Sequence, residues 1–157
     1  STHNIMATET KQDIADCPLF INGKCKMVLP VTKGSDSGRS KLPLHIKMGW
    51  DWTQQNVYIM YNIKFEGHLF YAKKPIFVMA VGYLYGENGH SYDDVTHITD
   101  AVKVTTYKSS DGKLVFKLEG TSDWHASCLN MTLFDGEISY HKTAMKTIKI
   151  IDLCHSA

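Results

Sequence analysis

Apolar and polar residues alternate along much of the chain. Val57, Ile59, Tyr61, Ile63 and Phe65 lie two apart, with Tyr58, Met60, Asn62 and Lys64 between them. A period of two is the signature of a strand with one covered face. Leu114, Phe116 and Leu118 alternate in the same way with Lys113, Lys117 and Glu119, after the turn signal Ser-Ser-Asp-Gly at 109–112. Leu129, Met131 and Leu133 alternate with Cys128, Asn130 and Thr132. Runs rich in β-branched and aromatic residues predict further strands over 24–29, 43–49, 75–85, 101–107, 137–141 and 146–152. Gly, Asp, Asn and Ser punctuate the gaps, and helix candidates are few. Short strands at this spacing predict an all-β fold, an antiparallel β-sandwich. No repeat, linker or composition shift divides the chain, so residues 1–157 read as one domain with a polar N-terminal arm over 1–16. The polar stretch 33–41 and the acidic stretch 86–97 read as loops, where recognition residues concentrate.

One strand departs from the alternation. Over 75–85, Ile76, Val78, Ala80 and Leu84 lie on one face, while Phe77, Met79, Val81, Tyr83 and Tyr85 lie on the other. Both faces are apolar, so both call for a cover. A sheet neighbour, another subunit or an apolar ligand would each serve the second face.

Composition narrows the class. Of 157 residues, 43% are hydrophobic and 21% charged, which fits a globular domain and not a disordered one. Seventeen Lys and Arg against 16 Asp and Glu give a net charge of +1, without the basic excess of a nucleic-acid or polybasic membrane binder. The longest apolar run, 76–84, is far short of the roughly 20 residues that cross a bilayer.

Four cysteines stand at 17, 25, 128 and 154, with no Cys-x-x-Cys spacing. Their even number and wide spacing predict two disulfides in an oxidising compartment. The polar start at Ser1, without an initiator Met, fits a mature secreted chain. Asn22-Gly23 is a two-residue turn signal, and the hairpin it predicts over 17–29 sets Phe20 opposite Cys25 and Cys17 opposite Val28. Cys17 and Cys25 then lie roughly 11 Å apart on opposite faces, beyond the reach of a disulfide at about 7 Å. Each is therefore expected to bond to Cys128 or Cys154, with both long-range pairings open. Asn130-Met131-Thr132 is a sequon and makes Asn130 a glycosylation candidate.

Catalytic motifs are missing. Gly34-Ser-Asp-Ser-Gly38 has Asp36 where a nucleophile elbow needs serine. Gly82, Gly86 and Gly89 make neither a P-loop nor a dinucleotide fingerprint, and no cofactor is expected. Asp93, Asp94 and His97, with His90 nearby, match no metal-ligand spacing and read as a solvated acidic loop, so no metal is expected. No acid–base pair emerges, which argues against an enzyme. The chemistry that remains is recognition. Asp123-Trp124-His125 combines an apolar ring with a donor and an acceptor, the set that a sugar needs for its C–H face and its hydroxyls. Trp50-Asp51-Trp52 offers the same set elsewhere.

The order of segments over 57–135 resembles the H-type lectin-like domain, the fold of snail agglutinins and discoidin C-terminal domains. Asn62-Ile63-Lys64-Phe65 is similar to the family's Asn-Ile-x-Phe strand, and Lys74-Pro75-Ile76-Phe77-Val78 to its Pro-Pro-x-Val strand. Residues 102–116 resemble its strand, turn and Gly-Phe segment, and Trp124-His125 falls at its Trp-His pair. Lys74 stands for the first Pro, and Ile98-Thr99-Asp100-Ala101 holds no Arg where the family often has one. The resemblance implies a six-stranded antiparallel sandwich, assembled as trimers or multiples, that binds galactose or N-acetylgalactosamine between protomers. It implies a hydroxyl-binding role for His125, with Asp51 standing in for the family's sugar-binding Asp. The expectation is thus a secreted, non-enzymatic, oligomeric carbohydrate-binding protein with glycans or glycoproteins as partners and a site drawn from Asp51, Asp123, Trp124 and His125. The alternative is a secreted storage or carrier subunit of the egg-fluid type, which holds an apolar pigment or lipid on Phe77, Met79, Tyr83 and Tyr85.

Overall fold

Among the described residues every strand pairing is antiparallel, in two sheets that share one core. The computed structural model describes residues 9–14, 20–21, 24–28, 44–52, 58–69, 73–85, 89–120, 126–135 and 148–153. Among them are β1 (Glu9–Ile14), β2 (Phe20–Ile21), β3 (Lys24–Val28), β4 (Leu44–Asp51), β5 (Tyr58–Leu69), β6 (Pro75–Tyr85), β7 (Gly89–His97), β8 (Val102–Lys108), β9 (Lys113–Gly120), β10 (Ala126–Asp135) and β11 (Ile148–Leu153), and no helix. One sheet runs β1-β11-β4-β9-β8 and the other β2-β3-β10-β5-β6-β7. The expected antiparallel all-β architecture is therefore present.

The inner faces follow from the period of two. Leu44, Ile46, Met48 and Trp50 of β4 meet Leu114, Phe116 and Leu118 of β9 on one side of the core. Tyr61, Ile63 and Phe65 of β5, Ile76, Val78, Ala80 and Leu84 of β6, and Leu129, Met131 and Leu133 of β10 form the other. Rings cross the gap between the sheets. Trp50 stacks on Tyr61 at 5.6 Å, and Phe116 meets Tyr61 at 5.5 Å and Phe65 at 6.0 Å. Each fully buried side chain of this size contributes about 1.5–3 kcal/mol.

The chain passes between the sheets at residues 98–101, and that crossing is tied down. Ile98 and Thr99 N–H both donate to the Phe77 carbonyl. The Thr99 hydroxyl accepts from Phe77 N–H at 3.1 Å and donates to the Pro75 carbonyl. Val104 N–H donates to His97 Nε2 at 3.0 Å, linking the end of β7 to β8 in the opposite sheet.

Several sequence expectations change. Residues 86–97 read as a loop, yet Gly89–His97 is strand β7, at the edge of the six-stranded sheet. Its polar composition follows from that place. An edge strand meets solvent on more than one side, and a register shift between Val81 and Tyr83 breaks the alternation that would have marked it. The polar N-terminal arm supplies β1, which pairs with β11. The strand expected at 137–141 and the loop at 33–41 lie outside the described residues, as do residues 17 and 154.

Phe20 lies opposite Cys25, as expected, and Ile21 opposite Lys24, while the expected partner of Val28, Cys17, lies outside the described residues. That register also limits the cysteine pairing. Cys25 lies opposite Leu133 on β10, while Cys128 lies five residues further along β10, opposite His68. Five strand residues span roughly 17 Å, so Cys25 and Cys128 are too far apart to bond. The register thus argues against the long-range pairing that joins Cys25 to Cys128.

The second face of β6 is the outer surface of the six-stranded sheet. Ile76, Val78, Ala80 and Leu84 point inward and are buried, whereas Phe77, Met79 and Tyr83 are half-buried and Val81 is 37% exposed. Met60, opposite Tyr83 on β5, is 53% exposed. Among the described residues no further sheet covers this face. The outer face of the five-stranded sheet differs, since His45 and Val115 are fully buried there and His45 Nδ1 lies 2.6 Å from the Tyr107 hydroxyl.

Candidate functional site

The described residues with recognition chemistry gather where β4 ends. The β8–β9 turn closes that end. Gly112, at φ 83°, takes the left-handed conformation that glycine adopts without strain. Its N–H donates to the Ser109 carbonyl, and the Ser109 hydroxyl accepts from Lys113 N–H at 2.8 Å. The turn then holds β4. Trp52 N–H donates to the Gly112 carbonyl at 2.7 Å, Lys113 Nζ lies 2.5 Å from Asp51, and Lys47 Nζ lies 2.7 Å from Asp111.

From the opposite sheet, β7 brings Gly89 and His90 against the Trp52 ring. Trp52 meets His90 edge-on at 4.7 Å. Gly89 has a φ of 75°, and a Cβ there would lie 3.3 Å from Trp52 Nε1. His90 turns its Nε2 inward, 2.5 Å from the Tyr61 hydroxyl. Burial lowers the His90 pKa, against a smaller upward push from the Asp93 charge. Burial raises the Tyr61 pKa, and Asp93 raises it further. Both groups are thus neutral near neutral pH. The Tyr61 hydroxyl and His90 Nε2 share this hydrogen bond, and which of them donates follows the imidazole tautomer. The outcome is a fixed rim: the Trp52 ring, the His90 imidazole and a carboxylate on Asp51.

Gly82 makes this packing possible. It sits on β6 opposite Tyr61, and a Cβ there would overlap the Tyr61 ring, with Cε2 only 2.7 Å away. In the sequence, Gly82 is an isolated glycine in an apolar strand, a signal of close approach. The Tyr61 and His90 pairing had no sequence signal, because the partners are 29 residues apart and belong to different strands.

The expected site residues have different outcomes. Asp123, Trp124 and His125 lie outside the described residues. The ends of their segment are described, however. Gly120 closes β9 seven residues from Lys113, and Lys113 is the residue opposite Asp51. Seven residues span roughly 23 Å. Ala126 pairs with Leu69, at the far end of β5 from Tyr61. The described residues that flank the segment, Gly120 and Ala126, thus lie toward the end of the sandwich away from Asp51. Asn130 lies in β10, half-buried, opposite Val28 and Glu66. Cys25 and Cys128 have the register positions given above.

Asp94, His97 and His90 of β7 are engaged separately. Asp94 accepts from the Thr96 hydroxyl at 2.5 Å, His97 accepts from Val104 N–H, and His90 faces Tyr61. Among the described residues no three His, Cys, Asp or Glu side chains form a metal-sized group. The chain matches no protein-family model, no curated protein and no solved structure.

Proposed function

We propose that this chain is a secreted, disulfide-bonded, non-enzymatic carbohydrate-binding protein that acts as an oligomer and takes galactose-type glycans at the rim of its sandwich. The observation that carries the reading is the fixed rim at the end of β4, where Trp52, the His90 imidazole and the Asp51 carboxylate are braced by both sheets. A sugar ring presents an apolar face and directional hydroxyls, and such a rim meets both. The resemblance to H-type lectin-like domains adds Trp124 and His125 as contacts, and Asp123 adjoins them in the sequence. Its span, 57–135, holds six antiparallel strands, β5 to β10. Several protomers would add avidity to weak single sites. A glycan array of the wild type, Asp51→Asn and His125→Ala tests the reading. Loss of signal in His125→Ala alone places the sugar at 121–125, and loss in Asp51→Asn alone places it beside Trp52. Silence of the wild type on every glycan overturns the proposal.

A second reading, a storage or carrier subunit for an apolar pigment or lipid, draws on the partly exposed outer face of β6. Absorption spectra and mass spectrometry of native-source protein test it, and a colourless protein free of lipid counts against it.

A further inference from the structure

The outer face of the six-stranded sheet is built in three bands. Its centre is apolar, with Phe77, Met79, Val81 and Tyr83 along β6 and Met60 beside them on β5. Its β7 margin is acidic, since Asp94 lies opposite Val81 on this face and Asp93 is exposed next to it. Its other margin is basic. Lys64 on β5 lies opposite Thr132, which lies opposite Lys26 on β3, so both lysines share one row across the sheet. Lys26 is exposed, and Lys64 sits 3.6 Å from Glu66.

The β7 edge is guarded against sheet extension. Tyr92 has a φ of 51°, which is rare for a large side chain, within an irregularity opposite Gly82. A bulge and exposed carboxylates on an edge strand disfavour pairing with another strand. The bulge instead aims Tyr92 onto the outer face, where it stacks on Tyr83 at 6.4 Å and stays 83% exposed. A side chain of that size, raised beside Met60 and Val81, suits contact across the face and not along the edge.

We propose that the outer face of β5, β6 and β7 is a self-association surface, occupied by the same face of a second copy of this chain. A two-fold axis running along β6 leaves the apolar band on itself and exchanges the two margins. It lays Asp94 of each copy over the Lys64 side of the other, whereas an axis across the strands would set acid against acid. Two-fold pairing of one patch with itself is the commonest route to a homodimer. The proposal rests on the oligomeric part of the proposed function and is independent of where a glycan binds.

The test is the mass of the full chain across a concentration series, by sedimentation equilibrium and native mass spectrometry. Wild type is expected to form dimers, or higher forms built from them. Val81→Arg and Met60→Glu are both on the exposed face, and each should raise the dissociation constant about tenfold or more while circular dichroism is unchanged. Asp94→Lys should weaken the dimer, and Lys64→Asp added to it in the same chain should restore it. A wild type that stays monomeric overturns the inference, whether it is bare or carries an apolar molecule. So does an assembly that ignores all four substitutions, although that result leaves an oligomeric lectin standing. A silent glycan array beside a dimer that responds to them overturns the glycan reading alone.

Discussion

An alanine at position 82 would put a methyl group inside the Tyr61 ring. The nearest atoms are the hydroxyl, Cζ and, at 2.7 Å, Cε2, all below normal contact distance. Tyr61 cannot swing aside freely, because it is stacked on Trp50, meets Phe116 edge-on and is bonded to His90. Overpacking of this kind costs about 1–3 kcal/mol, and loss of the hydrogen bond to His90 adds about 0.5–1.5 kcal/mol. Gly82→Ala should therefore destabilise the fold by about 1.5–4.5 kcal/mol, a large part of a typical total of about 5–15 kcal/mol. Urea denaturation of wild type, Gly82→Ala, Tyr61→Leu and the double variant measures it. In the Tyr61→Leu background the ring is gone, and the same alanine should cost less than about 1 kcal/mol, which appears as a coupling of the two sites. A Gly82→Ala variant within about 0.5 kcal/mol of wild type, or additive costs in the double variant, would refute this view of the packing.

Three further outcomes are expected. Because burial lowers the His90 pKa in the folded state, the unfolded chain binds the extra proton first. The contribution of His90 is then complete above about pH 6.5 and declines as pH falls through the folded-state value; urea midpoints against pH should show that slope, and His90→Gln should flatten it. Tyr61 behaves in the opposite sense, because burial raises its pKa. Its contribution is complete below about pH 10 and declines as pH rises above it, and Tyr61→Phe should remove that alkaline loss. Peptide mapping without reduction should recover no bond between Cys25 and Cys128, and recovery of one would show the register of β3 on β10 to be wrong.

The strands that cover the core were legible because one of their faces is uniformly apolar. Ile63 and Phe65, Phe116 and Leu118, and Met131 and Leu133 each announced a buried side by spacing alone, and Asn22-Gly23 announced a hairpin with its register. β7 was hidden for the complementary reason: the bulge in this edge strand breaks its alternation, so Ser91, Asp93 and Asp94 resemble a loop. The apolar second face of β6 was visible in the sequence, but what it meets depends on neighbours that no local pattern encodes. The rim at Trp52 was half legible. Trp50-Asp51-Trp52 stood out by composition, whereas Lys113, Gly89 and His90 reach it only through the sheet topology.

Hydroxyl-radical footprinting of the intact chain at low and high protein concentration tests the central claim most directly, because methionine and tyrosine are reactive and Met60 and Tyr92 are the reporters. Strong labelling of both in dilute protein, with protection of both as the concentration rises, is the predicted result. Protection at every dilution would mean that the chain itself covers the face, and equal labelling at every concentration would mean that no second copy binds there; either contradicts the account.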